Sequence, residues 1–308
     1  MWQQDLLCCK TRSGLNTRPS MRTSEWIQAG FAIILAIVAC ICPLAAKRRL
    51  AIAMLAVFAV LTVLLGRLSV YVLAPRQASI LRDWLPVALM LVPYWQTGQF
   101  FTEPNKKIQS WLVESDRRLA KLMHPGVLAF GRYTRLSMEW AYSLCYPLPL
   151  AGLAVLYAAG LSRYANTYWA IVLLPTYLCY VFTPLVPALP PRDIAGKASA
   201  VGARTKSRVF NLWILKYGSI HAISFPSAHV ACALAISFVL LHYVPVAGAI
   251  FLAIAIWIGV AAIVGGYHYA IDVWLGAVIA LLVLAAWGAH LIPSSLLTPT
   301  AAAFTTAF

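Results

Sequence analysis

The chain has 308 residues, 62% hydrophobic and only 11% charged, with a formal net charge of +15. Soluble domains devote about a quarter of their residues to charge, so this composition excludes a soluble fold. It also excludes a nucleic-acid partner, because no polar unit is left to carry a groove-reading element. The positive charge suits loops at a membrane surface and anionic headgroups.

In chain order, residues 1–24 form a polar tail. The first apolar run is long and ends in Lys47-Arg48-Arg49 rather than at a small-residue cleavage site, so no cleavable signal peptide is expected, and Met21 is an alternative start. About 20 apolar residues cross a bilayer as a helix. Runs of that kind lie near 25–46, 50–74, 138–161, 167–188, 227–245, 247–265 and 271–293. A shorter one, DWLPVALMLVPYW at 83–95, crosses, re-enters or lies at the interface. The pattern predicts an all-α, polytopic transmembrane helical bundle with seven or eight spans. Residues 25–136 hold the first spans, residues 137–293 a catalytic transmembrane domain, and 294–308 a C-terminal tail.

Residues 106–123, KKIQSWLVESDRRLAKLM, carry Ile108, Trp111, Leu112, Leu119 and Leu122 at helical spacing with basic residues between them. This is an interfacial helix or a connector packed on the core. A polar loop over 191–224 holds Arg192, Lys197, Arg204, Lys206, Arg208 and Lys216. The seven cysteines have no metal-ligand spacing and read as small hydrophobes.

Three polar stretches interrupt the apolar half. PALPPRD (187–193) stops a span at Pro190-Pro191 and follows with Arg192; a snorkelling interfacial arginine is the plainer reading. SFPSAH (224–229) places Ser224, Ser227 and His229 at the mouth of the next span, with Pro226 suited to the first helical position. The free N–H groups of Ser227, Ala228 and His229 would make an anion site, or the serine is simply a cap. GGYHYAIDVWLG (265–276) sets His268 and Asp272 four apart, on one helix face. An aspartate there fixes the imidazole tautomer and frees the other nitrogen as nucleophile or base; the bland alternative is a buried pair holding two helices together. His221 could reach a headgroup but reads as a loop histidine, and His124, His242 and His290 have no motif company.

Alternating spans put Arg192, His229 and the His268/Asp272 pair on one face of the membrane. Arg192, the serines and a helix start can hold phosphate oxygens. One histidine can attack phosphorus while another protonates the leaving oxygen. The cationic and N–H donors neutralise the phosphoryl charge, so no metal or other cofactor is expected. The expected partners are a lipid phosphate substrate and the bilayer itself.

SFPSAH and HYAID resemble the second and third motifs of the type 2 phosphatidic acid phosphatase superfamily, with PPR as the first, over about 187–276. The resemblance implies a six-helix phosphatase-type core, His268 as nucleophile through a phosphohistidine, Asp272 as its positioner and His229 as general acid. It also implies that Arg192, Ser227 and nearby amides bind phosphate; Ser224 joins them from the residue pattern alone. Two departures stand out: the phosphatases have a Lys before the first-motif Arg and a Ser-Arg pair before the third-motif His, where this chain has Leu185-Val186 and Ala261-Ala262. PPR and GGYHYAIDV are closer to the inositol phosphorylceramide synthase-like branch (inositolphosphotransferases), which implies transfer of a phospho-headgroup as the alternative to hydrolysis. The rivals are a non-catalytic lipid carrier or transporter using the same pocket, and a metal hydrolase with His229, His268 and Asp272 as ligands.

If all eight runs cross, 16 of the 24 Lys and Arg lie on the site face and 7 on the other. The positive-inside rule then places the site in the cytoplasm, whereas the resemblance implies an extracytoplasmic site. Basic loops beside a phosphate site also serve substrate, and the reading leans to the extracytoplasmic face.

Overall fold

The computed structural model of the chain describes residues 20–122, 131–194, 206–220 and 222–292. His124, His221, Lys197, Arg204, the tail 294–308 and most of the tail 1–24 lie outside the described residues. Every regular element among those described is helical. The all-α polytopic bundle expected from composition is therefore the fold.

The first two apolar runs become α1 (Thr23–Ile41) and α2 (Ala46–Leu68). The short run at 83–95 does not cross in one piece. It divides at Met90 between α3 (Pro75–Leu89) and α4 (Leu91–Gly98), each too short to span. The amphipathic stretch is helical, as α5 (Lys106–Leu122), with Leu112 buried and Glu114, Arg117 and Arg118 paired on its outer side. The run at 138–161 breaks into α6 (Arg132–Leu144) and α7 (Leu148–Ala158), bent by 68°. Pro147 and Pro149 sit at the break, where neither can donate to the ladder.

α8 (Ala165–Phe182) then runs to a short turn and to α9 (Pro191–Ile194). The stretch 191–224 is not simply a polar loop: it contains α10 (Lys206–Gly218). The core closes with α11 (Ala228–Tyr243), α12 (Pro245–Val264) and α13 (Ala270–Gly288). Among the described residues, five stretches are long and apolar enough to cross: Thr23–Ile41, Ala46–Tyr71, Ser162–Leu185, Pro245–Val264 and Ala270–Gly288. The bent α6–α7 pair makes a sixth, in place of the seven or eight uninterrupted spans expected from apolar runs.

α11 is the centre. It packs on α7, α8, α12 and α13 and is buried nearly all round, the mark of an inner helix. At 16 residues it reaches about 24 Å at 1.5 Å per residue, short of a full bilayer crossing, because the segment before it enters non-helically. Such backbone is tolerated at membrane depth only where protein surrounds it. Outward-facing Ile33, Ile37, Leu65, Ile250, Ile256 and Leu282 are exposed, as a lipid-facing surface requires.

The N-terminal helices are clamped to one another through charge and tied to the core through hydrogen bonds. Arg82 grips Glu25 with two bonds, of 2.6 and 2.7 Å, and both side chains are buried. Arg22 pairs with Asp83, whose second oxygen accepts from Tyr157 at 2.6 Å. The Ser24 N–H donates to Asn166 at the start of α8, at the end opposite Arg192. Removing one partner of a buried ion pair leaves the other charge uncompensated. We therefore expect Glu25→Ala to cost about 3–5 kcal/mol of stability, read as a lowered Tm in detergent, with part of the loss recovered in the Glu25→Ala/Arg82→Met double variant. An unchanged Tm for the single variant would remove this clamp from the account.

Candidate active site

The site is assembled at the end of the bundle where α8 finishes and α11 and α13 begin. After α8 the prolines force an extended stretch, and Arg192 stands in the single turn that follows. Its N–H donates to the Gly266 carbonyl at 3.0 Å, tying the first polar stretch to the turn before α13. Gly266 has φ +69°, a conformation that favours glycine, and a Cβ there would lie 3.6 Å from the Arg192 nitrogen. The Arg192 guanidinium lies 5.9 Å from the centre of the Tyr267 ring and 3.7 Å from the Asp193 carboxylate.

The second stretch approaches as extended backbone, with the Ile223 N–H bonded to the Ala188 carbonyl at 2.9 Å. The helix starts at Ala228, with Ser227 as its N-cap, so Pro226 precedes the helix rather than opening it. The Ser227 N–H, expected to be free, instead donates to the Asp272 carbonyl at 3.1 Å. The N–H groups of the first turn that follow have no carbonyl within the helix to bond. The hydroxyls of Ser224 and Ser227 are buried without a hydrogen-bond partner among the described residues. A buried hydroxyl with no partner costs free energy, so these two suit a polar ligand.

The third stretch supplies the imidazole and the carboxylate. His268 Nδ1 lies 2.6 Å from Asp272 Oδ2, across one helical turn. His268 Nε2 lies 3.2 Å from His229 Nδ1. A carboxylate accepts only, so the proton between the first pair sits on Nδ1, and Nε2 presents its lone pair to His229. His229 Nδ1–H then points at that lone pair. His268 and Asp272 are buried, and Tyr142 and Tyr146 lie 5.9 and 6.0 Å from the His229 ring. Among the described residues no group of three His, Cys, Asp or Glu is arranged to hold a metal ion.

All the site residues named from sequence thus fall at one end of the bundle. Several further residues, none of them singled out as a site residue from the pattern, hold them there. From α5, Gln109 accepts the Leu189 N–H at 2.8 Å and donates to the Tyr269 hydroxyl at 2.7 Å. Asp116 accepts the Ala270 N–H at 2.7 Å, at the start of α13. Burial pushes the Asp116 carboxyl above the usual carboxylate range, and the bond from Ala270 works against that shift. Leu112 packs with Ala188, Ile223, Phe225 and Tyr269, so α5 touches all three polar stretches. On the other side, Glu139 of α6 accepts from Arg208 at 2.7 Å, from Asn211 at 2.9 Å and from the Tyr267 hydroxyl at 2.6 Å.

A family model described as the PAP2 superfamily matches residues 110–286, more than half of the chain. The chain belongs to the PAP2 superfamily. No curated protein and no solved structure matches it. The match begins inside α5, well before the first polar stretch, so the helix that gathers the motif segments belongs to the PAP2 region. Membership supports a lipid phosphatase-type activity in a multi-pass membrane protein, with a lipid phosphate and the bilayer as its natural partners.

One close contact in this PAP2 site gives a sharp test. A Cβ at Gly276 would come within 2.4 Å of the Ser227 carbonyl oxygen, which is backbone and cannot swing aside. Gly276→Ala should therefore part α13 from the start of α11 and cut turnover of lipid phosphates by about 10²-fold, the cost of a misplacement near 1 Å. Gly288→Ala, where nothing lies within 4 Å, should leave turnover unchanged. Equal activity of the two variants would show that this approach does not set the geometry.

Proposed function

We propose that the protein is an integral membrane lipid phosphatase or phosphotransferase working through a phosphohistidine on His268, without a metal. The observation that carries this reading is the chain Asp272–His268–His229, with spacings of 2.6 and 3.2 Å. His268 Nε2 attacks phosphorus and forms the N–P bond as the P–O bond to the lipid breaks. His229, as the imidazolium, gives one proton to the departing oxygen and is left neutral. Asp272 holds Nδ1–H and stabilises the positive charge that develops on the ring. Arg192, Ser224, Ser227 and the first N–H groups of α11 surround the phosphoryl oxygens. His229 then takes a proton from the incoming hydroxyl, whose oxygen attacks phosphorus and breaks the N–P bond.

Water as that second nucleophile gives hydrolysis; a lipid hydroxyl gives transfer. The transferase reading, of the inositol phosphorylceramide synthase type, gains from the PPR and GGYHYAIDV forms of the motifs and from the burial of His268 and Asp272. A site closed to bulk water favours an acceptor delivered from the bilayer. A carrier or transporter would have no use for a nucleophile flanked by a proton donor and a carboxylate.

Purified protein assayed on a panel of lipid phosphates and phospho-headgroup donors, with chelator, decides among these. We expect His268→Ala to abolish turnover and His229→Ala to cut it by at least ~100-fold, the scale of lost acid catalysis. Free phosphate as product marks a phosphatase, and a new lipid formed from added ceramide or diacylglycerol marks a transferase. Full activity of both variants would sink the phosphohistidine reading, and loss of wild-type activity on chelation would return the metal hydrolase.

We place the site on the extracytoplasmic face. Two of the basic residues counted for that face, Arg192 and Arg208, turn inward to the Tyr267 ring and so serve the site rather than orientation. Exposed Tyr217 on α10 offers a reporter. In a background whose cysteines are serines, Tyr217→Cys should react with a membrane-impermeant maleimide on intact cells. Labelling only after lysis would put the site in the cytoplasm.

A further inference from the structure

A second guanidinium reaches the catalytic turn from an element outside the three motifs. Arg208 stands on α10, and its guanidinium carbon lies 5.9 Å from the centre of the Tyr267 ring, the same distance as that of Arg192. Tyr267 directly precedes His268. Its ring stacks on Tyr142 at 3.8 Å, and Tyr142 neighbours His229. Arg208 also reaches the backbone of the same turn, with its Nη2 3.5 Å from the Gly265 carbonyl. Only 17% of its side chain is exposed. The two arginines thus converge on the residue next to the nucleophile, from α9 and from α10.

We propose that Arg208 is a second phosphate-binding residue of the site, oriented by Glu139. The inference rests on reading the site as a phosphoryl-transfer centre. A phosphoryl group in transfer spreads its negative charge over three oxygens, and Arg192 by itself supplies one positive charge, part of which faces Asp193 at 3.7 Å. The guanidinium fork matches phosphate oxygens two at a time. Glu139 is suited to aim that fork. Its carboxylate is anchored by Tyr267 and Asn211 as well as by Arg208, so it is fixed from two sides and holds the arginine against the catalytic turn. Nothing in the apolar periodicity distinguishes Arg208 from the other basic residues of 191–224; its role comes from α10 folding back onto α6.

A strut and a ligand can be told apart, because Arg208→Met and Glu139→Gln both break the Arg208–Glu139 ion pair while only the first removes the guanidinium. Inorganic phosphate is the probe, and its binding to the full chain in detergent is read by calorimetry, with no turnover required. We expect Arg208→Met to weaken phosphate binding by at least about 10-fold, Arg208→Lys to keep part of it, and Glu139→Gln, whose amide oxygen can still accept from Arg208 and keep it aimed while releasing it from the ion pair, to bind at least as tightly as wild type. Equal weakening in Arg208→Met and Glu139→Gln would reduce Arg208 to a structural strut and overturn the proposal. So would unchanged binding in Arg208→Met, or no phosphate binding by wild type. Failure of the phosphohistidine reading shows up separately: His268→Ala would keep full turnover while the contrast between Arg208→Met and Glu139→Gln persisted.

Discussion

A single backbone hydrogen bond, from the Ser227 N–H to the Asp272 carbonyl at 3.1 Å, registers the start of α11 on the start of α13. His229 lies two residues beyond the donor, and His268 lies four before the acceptor. With the register fixed, the two imidazoles have little choice but to meet. Gly276, four residues after Asp272 and so on the same helix face, lets the backbones approach this closely. The contact also explains why α11 is short. Its first residues cannot be helical if Ser227 is to bond across to α13, and the backbone before it must then find partners inside protein. It does so, through the Ile223 bond to Ala188.

Much of the candidate site was legible because polar residues stand out against an apolar sequence. Ser224, Ser227, His229, His268, Asp272 and Arg192 sit where the apolar runs begin or end, and alternation of spans carries them to one face. What pattern reading missed is as instructive. Gln109, Asp116 and Asn211 look like ordinary polar residues of amphipathic stretches, and only the docking of α5 and α10 gives them roles. One signal was present for Glu139, a lone acid within an apolar run, but its partner lies 69 residues away on α10. The free Ser227 N–H was a misreading of the same kind. Local rules describe an isolated helix start, and the carbonyl that accepts this N–H belongs to another helix.

The fold was legible at the level of class and less so in its spans. Apolar length finds segments that can live in lipid, but it does not distinguish a straight crossing from a bent one. Pro147 and Pro149 break the run at 138–161, and the run at 83–95 splits at Met90, although both read as continuous in hydropathy. The α6–α7 break has a use. It sets Tyr142 on one side and Tyr146 at the corner, and both rings reach His229. A straight helix would present positions four apart along one stripe, whereas the corner turns two rings onto one imidazole.

The two ends of the bundle treat buried polarity in opposite ways, and that difference separates scaffold from site. At the far end, Arg82 is matched twice by Glu25, and Asp83 is shared between Arg22 and Tyr157. Desolvation there is offset within the protein. At the near end, the Ser224 and Ser227 hydroxyls and one oxygen of Asp272 are buried with no partner among the described residues. Elsewhere the unmatched atoms include Gln28 and Gln96 carbonyl oxygens, whose own amide nitrogens are bonded. Three unmatched polar atoms where the segment entering α11 meets the start of α13, beside a histidine already held on both sides, would be a standing cost in a purely structural joint. On the proposed reading, a bound phosphoryl group would supply acceptors for the hydroxyls, and its transfer would place on His268 the positive charge that Asp272 is positioned to meet.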